Sequence, residues 1–268
     1  MKVSVIVPAY NCTRYIGRCI SSVKVQTYDD WECIIVDDCS TDDTYAVAKK
    51  LTRGDRRFKV IQTETNSGAP TARNLGMAKA KGDALSFIDA DDWVEPTLLD
   101  YLVTQAVLWP DVGRIATPCL VHWENRGGEI AHWSITPTGL HEADSPHLFK
   151  DASCDVGHVT GNLYVKKNVP DGIYFPVGVY LFDDMIANIG LIFQGVRTVI
   201  TDNYLYHYRR HTDTITISGS YCTQDANAAR EAFDAFAKKY NPAPETLERC
   251  RAFMERAVTG RINYYKYR

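Results

Sequence analysis

The first hundred residues alternate short apolar runs with stretches whose apolar positions recur every three or four residues. Val3–Val7 reads as a buried strand, and Ile16, Cys19, Ile20 and Val23 then fall on one helical face. Cys33–Val36 predicts a second strand, followed by Asp37-Asp38-Cys39. Ser40, with Asp43 three residues later, has the form of a capping box opening a helix that runs to about Arg53. Phe58–Gln62, a helix from about Pro70 to Ala80, a strand at Ala84–Ile88 and a helix from near Pro96 complete the run. Strands alternating with helices in this way predict crossover connections and a mostly parallel sheet flanked by helices.

Beyond residue 110 the rhythm changes. Arg114–Trp123 and Glu129–Ser134 predict two strands joined by a turn at Asn125–Gly128. Residues 135–160 lack a clear period, and loops with one short helix near Pro146–Lys150 are expected there. Gly161–Val165 and Val196–Thr201 read as strands, Asp184–Phe193 as a helix, and 223–240 and 245–260 as two helices parted by Pro242 and Pro244.

In sheets of this class ligands bind beyond the carboxyl ends of the strands. Tyr10 and Asn11 follow the first strand, Asp37 and Asp38 the second, and Asp89, Asp91 and Asp92 the fourth. Carboxylates this crowded repel: two about 4 Å apart cost roughly 4 kcal/mol at an effective dielectric near 20. A divalent cation would remove that cost, and oxygen ligands suit Mg²⁺ or Mn²⁺. A solvated acidic turn is the plainer alternative.

Composition narrows the field. A formal net charge of −3 gives no electrostatic case for nucleic acid. Eight cysteines contain no C-x-x-C pair, which points to reduced core thiols and a cytoplasmic setting. No apolar run approaches the ~20 residues that span a bilayer. There is no G-x-G-x-x-G after the first strand, no P-loop and no G-x-S-x-G elbow.

Four further places could carry chemistry. Asp38 could accept a hydrogen bond from a base or ribose, or cap the following helix. Arg73, on a helix entered through a Gly-containing loop, could pair with a diphosphate or be a surface arginine. Asp183-Asp184 opens an apolar helical pattern, so the pair either suits the helix N-terminus or supplies a general base. His211, in the basic loop Tyr206-His207-Tyr208-Arg209-Arg210-His211, is a candidate ligand for a transition-type divalent ion, and the arginines beside it could hold a leaving diphosphate.

Several segments match a known family in order and spacing over roughly residues 1–100. They are Val3–Asn11, Ser21-Ser22-Val23 with Gln26-Thr27-Tyr28, Ile35–Asp42, Asn66-Ser67-Gly68 with Ala72–Gly76, and Phe87–Asp92. Together they resemble the motifs of family 2 glycosyltransferases. A looser likeness over about 158–217 resembles the acceptor half of members that build bacterial surface polysaccharides, including lipopolysaccharide and capsule. The resemblance implies a GT-A fold, a Rossmann-like α/β sheet with a small C-terminal helical extension. The glycosyltransferase domain would span 1–217, divided at 110 into nucleotide-sugar-binding and acceptor-binding halves, with the extension at 218–268. It also implies inverting transfer from a nucleoside-diphosphate sugar, foremost a UDP-sugar, to a glycan or lipid-linked glycan. On that likeness Tyr10 and Asp38 contact the nucleobase, Arg73 the base or diphosphate region and Asp89 the ribose, with Pro8 and Ala90 also in the nucleotide-sugar site. Asp91 and His211 hold Mn²⁺ or Mg²⁺, Arg210 meets the diphosphate, and Asp184 is the catalytic base. Two positions depart from the pattern: Cys39 stands where a Gly is usual, and Asp183 where a Glu is usual.

A sugar-nucleotide nucleotidyltransferase, or a non-catalytic nucleotide- or glycan-binding module, are the alternatives. The C-terminal stretch Arg249–Arg268 carries six basic residues against one acid and ends in aromatics. That pattern fits either peripheral contact with the inner face of a membrane or a solvated helix packed on the domain.

Overall fold

The computed structural model describes residues 1–124, 129–133, 138–143, 145, 148, 158–211 and 222–266. The N-terminal alternation is realised as β1 (Val3–Ala9), α1 (Ile16–Lys24), β2 (Trp31–Asp37), α2 (Thr44–Leu51), β3 (Phe58–Gln62), α3 (Ala69–Lys79) and β4 (Ala84–Phe87). All seven residues of β1 are buried, as an apolar strand covered on both faces by helices must be. Strands β3, β2, β1 and β4 lie in that order and run parallel, with Val3 opposite both Trp31 and Ala84. Helix α3 passes close over β1: a Cβ on Gly76 would come within 2.5 Å of the Ile6 side chain.

The chain then leaves the simple repeat. After β5 (Trp93–Val94) and α4 (Leu98–Leu108) come β6 (Arg114–Ala116), β7 (Cys119–Trp123), β8 (Glu129–Trp133), β9 (Gly139–His141) and β10 (Leu163–Val165). Helix α5 (Asp183–Phe193), β11 (Thr198–Ile200), β12 (Tyr206–Arg210), α6 (Cys222–Tyr240) and α7 (Pro244–Lys266) follow. β10 extends the large sheet antiparallel to β4, followed by β6, β11 and β9. β5, β12, β7 and β8 form a second, four-stranded sheet.

Three expectations are corrected here. Arg114–Trp123 is two strands in different sheets. Pro118 cannot donate to a ladder, and Thr117 turns its N–H to Asn162 Oδ1 at 3.1 Å and its hydroxyl to the Gly161 carbonyl at 2.9 Å. Tyr206–Arg210 is a strand rather than a basic loop, paired with β5 and β7. Ser40 and Asp43 form no capping box: α2 has no side-chain cap, and Ser40 Oγ instead accepts the Asn11 N–H at 2.9 Å. The expected turn at 125–128 lies outside the described residues, as does nearly all of the expected helix near 146–150.

Helices α6 and α7 share a core with α5. Phe233 and Ala229 of α6 and Cys250, Phe253, Met254 and Val258 of α7 are fully buried against Phe182, Met185, Ile186 and Ile189. Of the basic residues on α7, Arg249 pairs with Glu245 and Arg251 with Asp234. Peripheral membrane contact through this segment gains no support from a helix so docked. Among the described residues no helix is long and apolar enough to cross a membrane. Cys12, Cys19, Cys33, Cys119 and Cys250 are buried free thiols.

Candidate active site

The carboxyl ends of β1, β2 and β4 meet along one edge of the large sheet. Pro8 is buried within β1, while Tyr10 just beyond it is 45% exposed. Asp38, after β2, is buried, and its oxygens accept the Ser67 N–H at 3.0 Å, the Gly68 N–H at 2.6 Å and the Thr63 hydroxyl at 2.9 Å. It therefore caps no helix after β2; it fastens the loop that leads into α3.

Arg73, on α3, is the hub. Its buried guanidinium reaches Asp89 Oδ1 at 2.9 Å, Asp183 Oδ2 at 2.5 Å and Asp184 Oδ1 at 3.2 Å, and lies 5.3 Å from the Phe175 ring centroid. A strand end and a helix N-terminus, more than ninety residues apart in sequence, are thus joined by one cation. Burial works against the Arg73 charge, but Asp184, Asp89 and Asp183 outweigh it and raise its pKa above the ordinary value. One cation cannot neutralise three carboxylates. Burial and repulsion from Asp184 push Asp183 well above the carboxylate range despite Arg73. Burial, opposed by Arg73 and reinforced by Asp91 and Asp184, pushes Asp89 up to about 6.

That shift makes a pH prediction. Asp89 ionises near ~4 in an unfolded chain, so the fold favours its protonated form. The resulting stabilisation is complete below about pH 4 and is lost as pH rises through about 6. Asp89→Asn keeps an oxygen for Arg73 without the charge. It is expected to melt several degrees above the native protein at pH 7.5 and level with it near pH 4. Thermal unfolding followed from pH 4 to 8 checks this, and a lower melting point for the variant at pH 7.5 would refute it.

Asp184 differs from its neighbour in access. Its side chain is 19% exposed against 7% for Asp183. Its Oδ2 accepts the Val159 N–H at 3.2 Å. Its Oδ1 lies beside Arg73 without a hydrogen bond of good alignment. Of the pair, Asp184 is the carboxylate a hydroxyl could reach.

Beyond β4 the acids divide. Asp92 is fully buried, accepting the Tyr206 hydroxyl at 2.5 Å and the Arg209 N–H at 2.7 Å. Burial, then repulsion from Asp91 and Asp89, raises its pKa. The Tyr206 oxygen also accepts the Asp89 N–H at 3.2 Å, so this pair anchors β12 to the acidic turn. Asp91 faces the other way: its Oδ2 lies 3.0 Å from His211 Nε2, and Arg209 Nε donates to its carbonyl at 2.8 Å. The His211 ring rests 4.5 Å from that of Tyr15. A carboxylate oxygen and an imidazole nitrogen so apposed suit a transition-type divalent ion such as Mn²⁺. They are two ligands only, and no cluster of three metal-binding side chains occurs among the described residues. Any ion here would need oxygens from elsewhere.

The structure thus joins Arg73, Asp89 and Asp184 directly, and Asp91 with His211. Ala90 is buried between the two groups in sequence. Among the described residues Arg210 forms no ion pair with these carboxylates; its guanidinium lies 4.5 Å from the Trp123 ring. Sequence reasoning missed Arg209 as the arginine that binds the acidic turn, and Asp225 altogether. Position within a helical pattern was the only signal the latter offered.

The profile of Glycosyl transferase family 2 matches residues 4–131. Glycosyltransferase GlyG of Streptococcus pneumoniae serotype 4 is 36% identical over 243 residues, covering 88% of this chain and 79% of that protein. The chain spans less than a third of the length of two other curated relatives it matches. The crystal structure of S. aureus TarS 1–349 in complex with UDP-GlcNAc superposes with a TM-score of 0.75 at 22% identity, over 96% of this chain and 72% of that one. The mannosyltransferase PcManGT from Pyrobaculum calidifontis, in complex with GDP-Man and Mn²⁺, gives 0.66 at 17% identity, over 98% and 72%. At such identities the two structures speak for the GT-A fold alone.

Proposed function

The chain belongs to glycosyl transferase family 2, and on that premise we propose that it is an inverting glycosyltransferase of surface-polysaccharide synthesis. The donor is a nucleoside-diphosphate sugar, foremost a UDP-sugar, and the acceptor a hydroxyl of a glycan or lipid-linked glycan. One observation carries the reading: Asp184, the accessible carboxylate at the start of α5, is held by Arg73 against Asp89 at the carboxyl edge of the parallel strands.

As the anomeric C–O bond breaks, the sugar becomes oxocarbenium-like and negative charge grows on the diphosphate. A divalent ion held by Asp91 and His211 would stabilise that charge as a Lewis acid. Asp184 takes the proton of the acceptor hydroxyl as it attacks from the face opposite the diphosphate, and this single displacement inverts the configuration. Pro8, Tyr10 and Asp38 flank the nucleobase, Asp38 chiefly by fixing the Thr63–Gly68 loop. Asp89 and Ala90 meet the ribose, and Arg210 turns from Trp123 toward the diphosphate. Arg73 acts on the carboxylates rather than on the donor, because its guanidinium is already engaged by three of them. The setting is cytoplasmic, where the buried thiols stay reduced. Family membership does not favour a nucleotidyltransferase.

A panel of nucleotide sugars, with Mn²⁺ or Mg²⁺ and with or without glycan acceptors, tests the proposal. Metal-dependent, acceptor-stimulated release of nucleoside diphosphate is expected, and pyrophosphate release would point to nucleotidyl transfer instead. Asp91→Asn and His211→Ala should each weaken Mn²⁺ binding in the presence of nucleoside diphosphate by about 10–100-fold or more. Titration calorimetry reads this without turnover, and unaltered affinity in both variants would remove the pair as ligands.

A further inference from the structure

Helix α5 carries the proposed base in its first turn, yet its N-terminus has no side-chain cap of its own. The support comes from α6. Asp225, only 1% exposed, accepts the backbone N–H of Tyr180 at 3.0 Å and of Leu181 at 2.6 Å through one oxygen, Oδ2. These are the residues that lead into Phe182 and Asp183. Phe182 itself is buried in the core that α5 shares with α6. The turn is therefore pinned to α6 at three successive residues immediately before Asp183 and Asp184.

The same turn reaches the donor side. The Tyr180 ring lies flush on Gly68: a Cβ there would come within 2.2 Å of Tyr180 Cε1, and Gly68 holds φ +87°, which a side chain rarely adopts. The Gly68 N–H is the one that Asp38 accepts at 2.6 Å. One continuous path thus runs from α6 through Asp225, the 180–181 backbone, the Tyr180 ring and Gly68 to the loop at the end of β2. It is built of direct contacts, and its Asp225 and 180–181 portion lies outside the stretch the family profile matches, residues 4–131.

We propose that Asp225 is a positioning residue, fixing the turn at Tyr180 and Leu181 so that Asp184 stands at its working distance from the acceptor hydroxyl. The C-terminal helices are on this view part of the active site. Asp225 itself touches neither substrate. The proposal rests on Asp184 being the base, and the experiment separates the two. A carboxylate spends a buried charge here because two N–H groups converge on it, and hydrogen bonds to an ionised acceptor are the strong ones. Misplacement of a reacting group by about 1 Å can cost on the order of 10²-fold in rate.

Asp225→Ala is expected to lower kcat by about 10²-fold, with KM for the donor and acceptor changed only a few-fold. Asp225→Asn, which still offers an oxygen of the same reach, should restore most of the rate. Asp225→Glu guards against an alanine variant that does not fold. It retains the charge on the same helix but lengthens the arm by one methylene, so kcat should fall at least tenfold while the melting temperature holds. A residue that merely stabilised the fold would tolerate Glu or lose rate only in step with stability. The decisive comparison places Asp225→Glu in an Asp184→Asn background. If Asp225 acts through Asp184, its effect on the residual rate disappears there. Full additivity, or normal kcat in both the Ala and Glu variants, overturns the proposal. Normal kcat in Asp184→Asn alone overturns the base assignment instead.

Discussion

Asp184→Asn is expected to reduce transfer by about 10²–10⁴-fold in kcat, the usual worth of a general base, with donor affinity within a few-fold of native. The physical grounds are local. Asn keeps the shape and an oxygen for the Val159 N–H that Asp184 Oδ2 accepts at 3.2 Å, so the helix start is preserved. What is lost is the capacity to take a proton. The donor-side contacts proposed for Tyr10, Asp38 and Asp89 arise on other strand ends, so nucleotide-sugar binding measured by calorimetry should survive. Removing one of the negative charges around Arg73 should even leave the variant as stable as the native chain, or more so. Turnover at saturating donor and acceptor is the measurement. A rate within tenfold of native would remove Asp184 from the role and direct attention to a carboxylate with better access.

The second large effect concerns stability. Arg73→Met fills similar space but strips the cation from Asp89, Asp183 and Asp184. Removing one partner of a buried ion pair costs about 3–5 kcal/mol, because the other charge is left uncompensated. For a chain of this size each kcal/mol corresponds to roughly 2–4 °C, so the melting temperature should fall on the order of 10 °C at pH 8. The penalty should shrink on acidification. Asp89, raised to about 6, and Asp183, also raised by burial and by repulsion from Asp184, protonate and cease to need the guanidinium. Arg73→Lys should recover only part of the loss, since an ammonium lacks the planar fork that reaches three carboxylates at once. Thermal unfolding of the three proteins at pH 8 and pH 5.5 reads all of this. Equal melting temperatures at pH 8 would mean that the apolar core of α5, not the clamp, holds it against β4.

The two predictions act on the same few ångströms and were unequally legible. Asp184 was visible as an acid at the head of an apolar helix, and the family resemblance gave it a role. Arg73 was visible as an arginine beyond a Gly-containing loop, but its expected partner was a diphosphate. Its actual neighbours are carboxylates 16, 110 and 111 positions along the chain. No pattern local to residue 73 records them. The same holds for β12, whose residues 206–210 read as a basic loop. Alternation of Tyr, His and Arg conceals a strand when the apolar content is carried by rings and long stems. Only pairing with β5 and β7, each from a distant stretch, makes Tyr206 a buried residue and Asp92 its partner.

The sequence alone determined the first four strands as members of a mostly parallel sheet, the helices between those strands and the acids at their carboxyl ends. These follow from periodicity within ten residues and from continuous apolar runs, which local chemistry fully specifies. Tertiary structure decided the rest: the split at Pro118, the second sheet, the division of the acidic turn between Asp91 and Asp92, and the hold of Asp225 on the turn before Asp184. Each depends on strands of two to five residues or single side chains whose partners lie far along the chain. Their energy comes from meeting in three dimensions, and a local pattern carries no record of it.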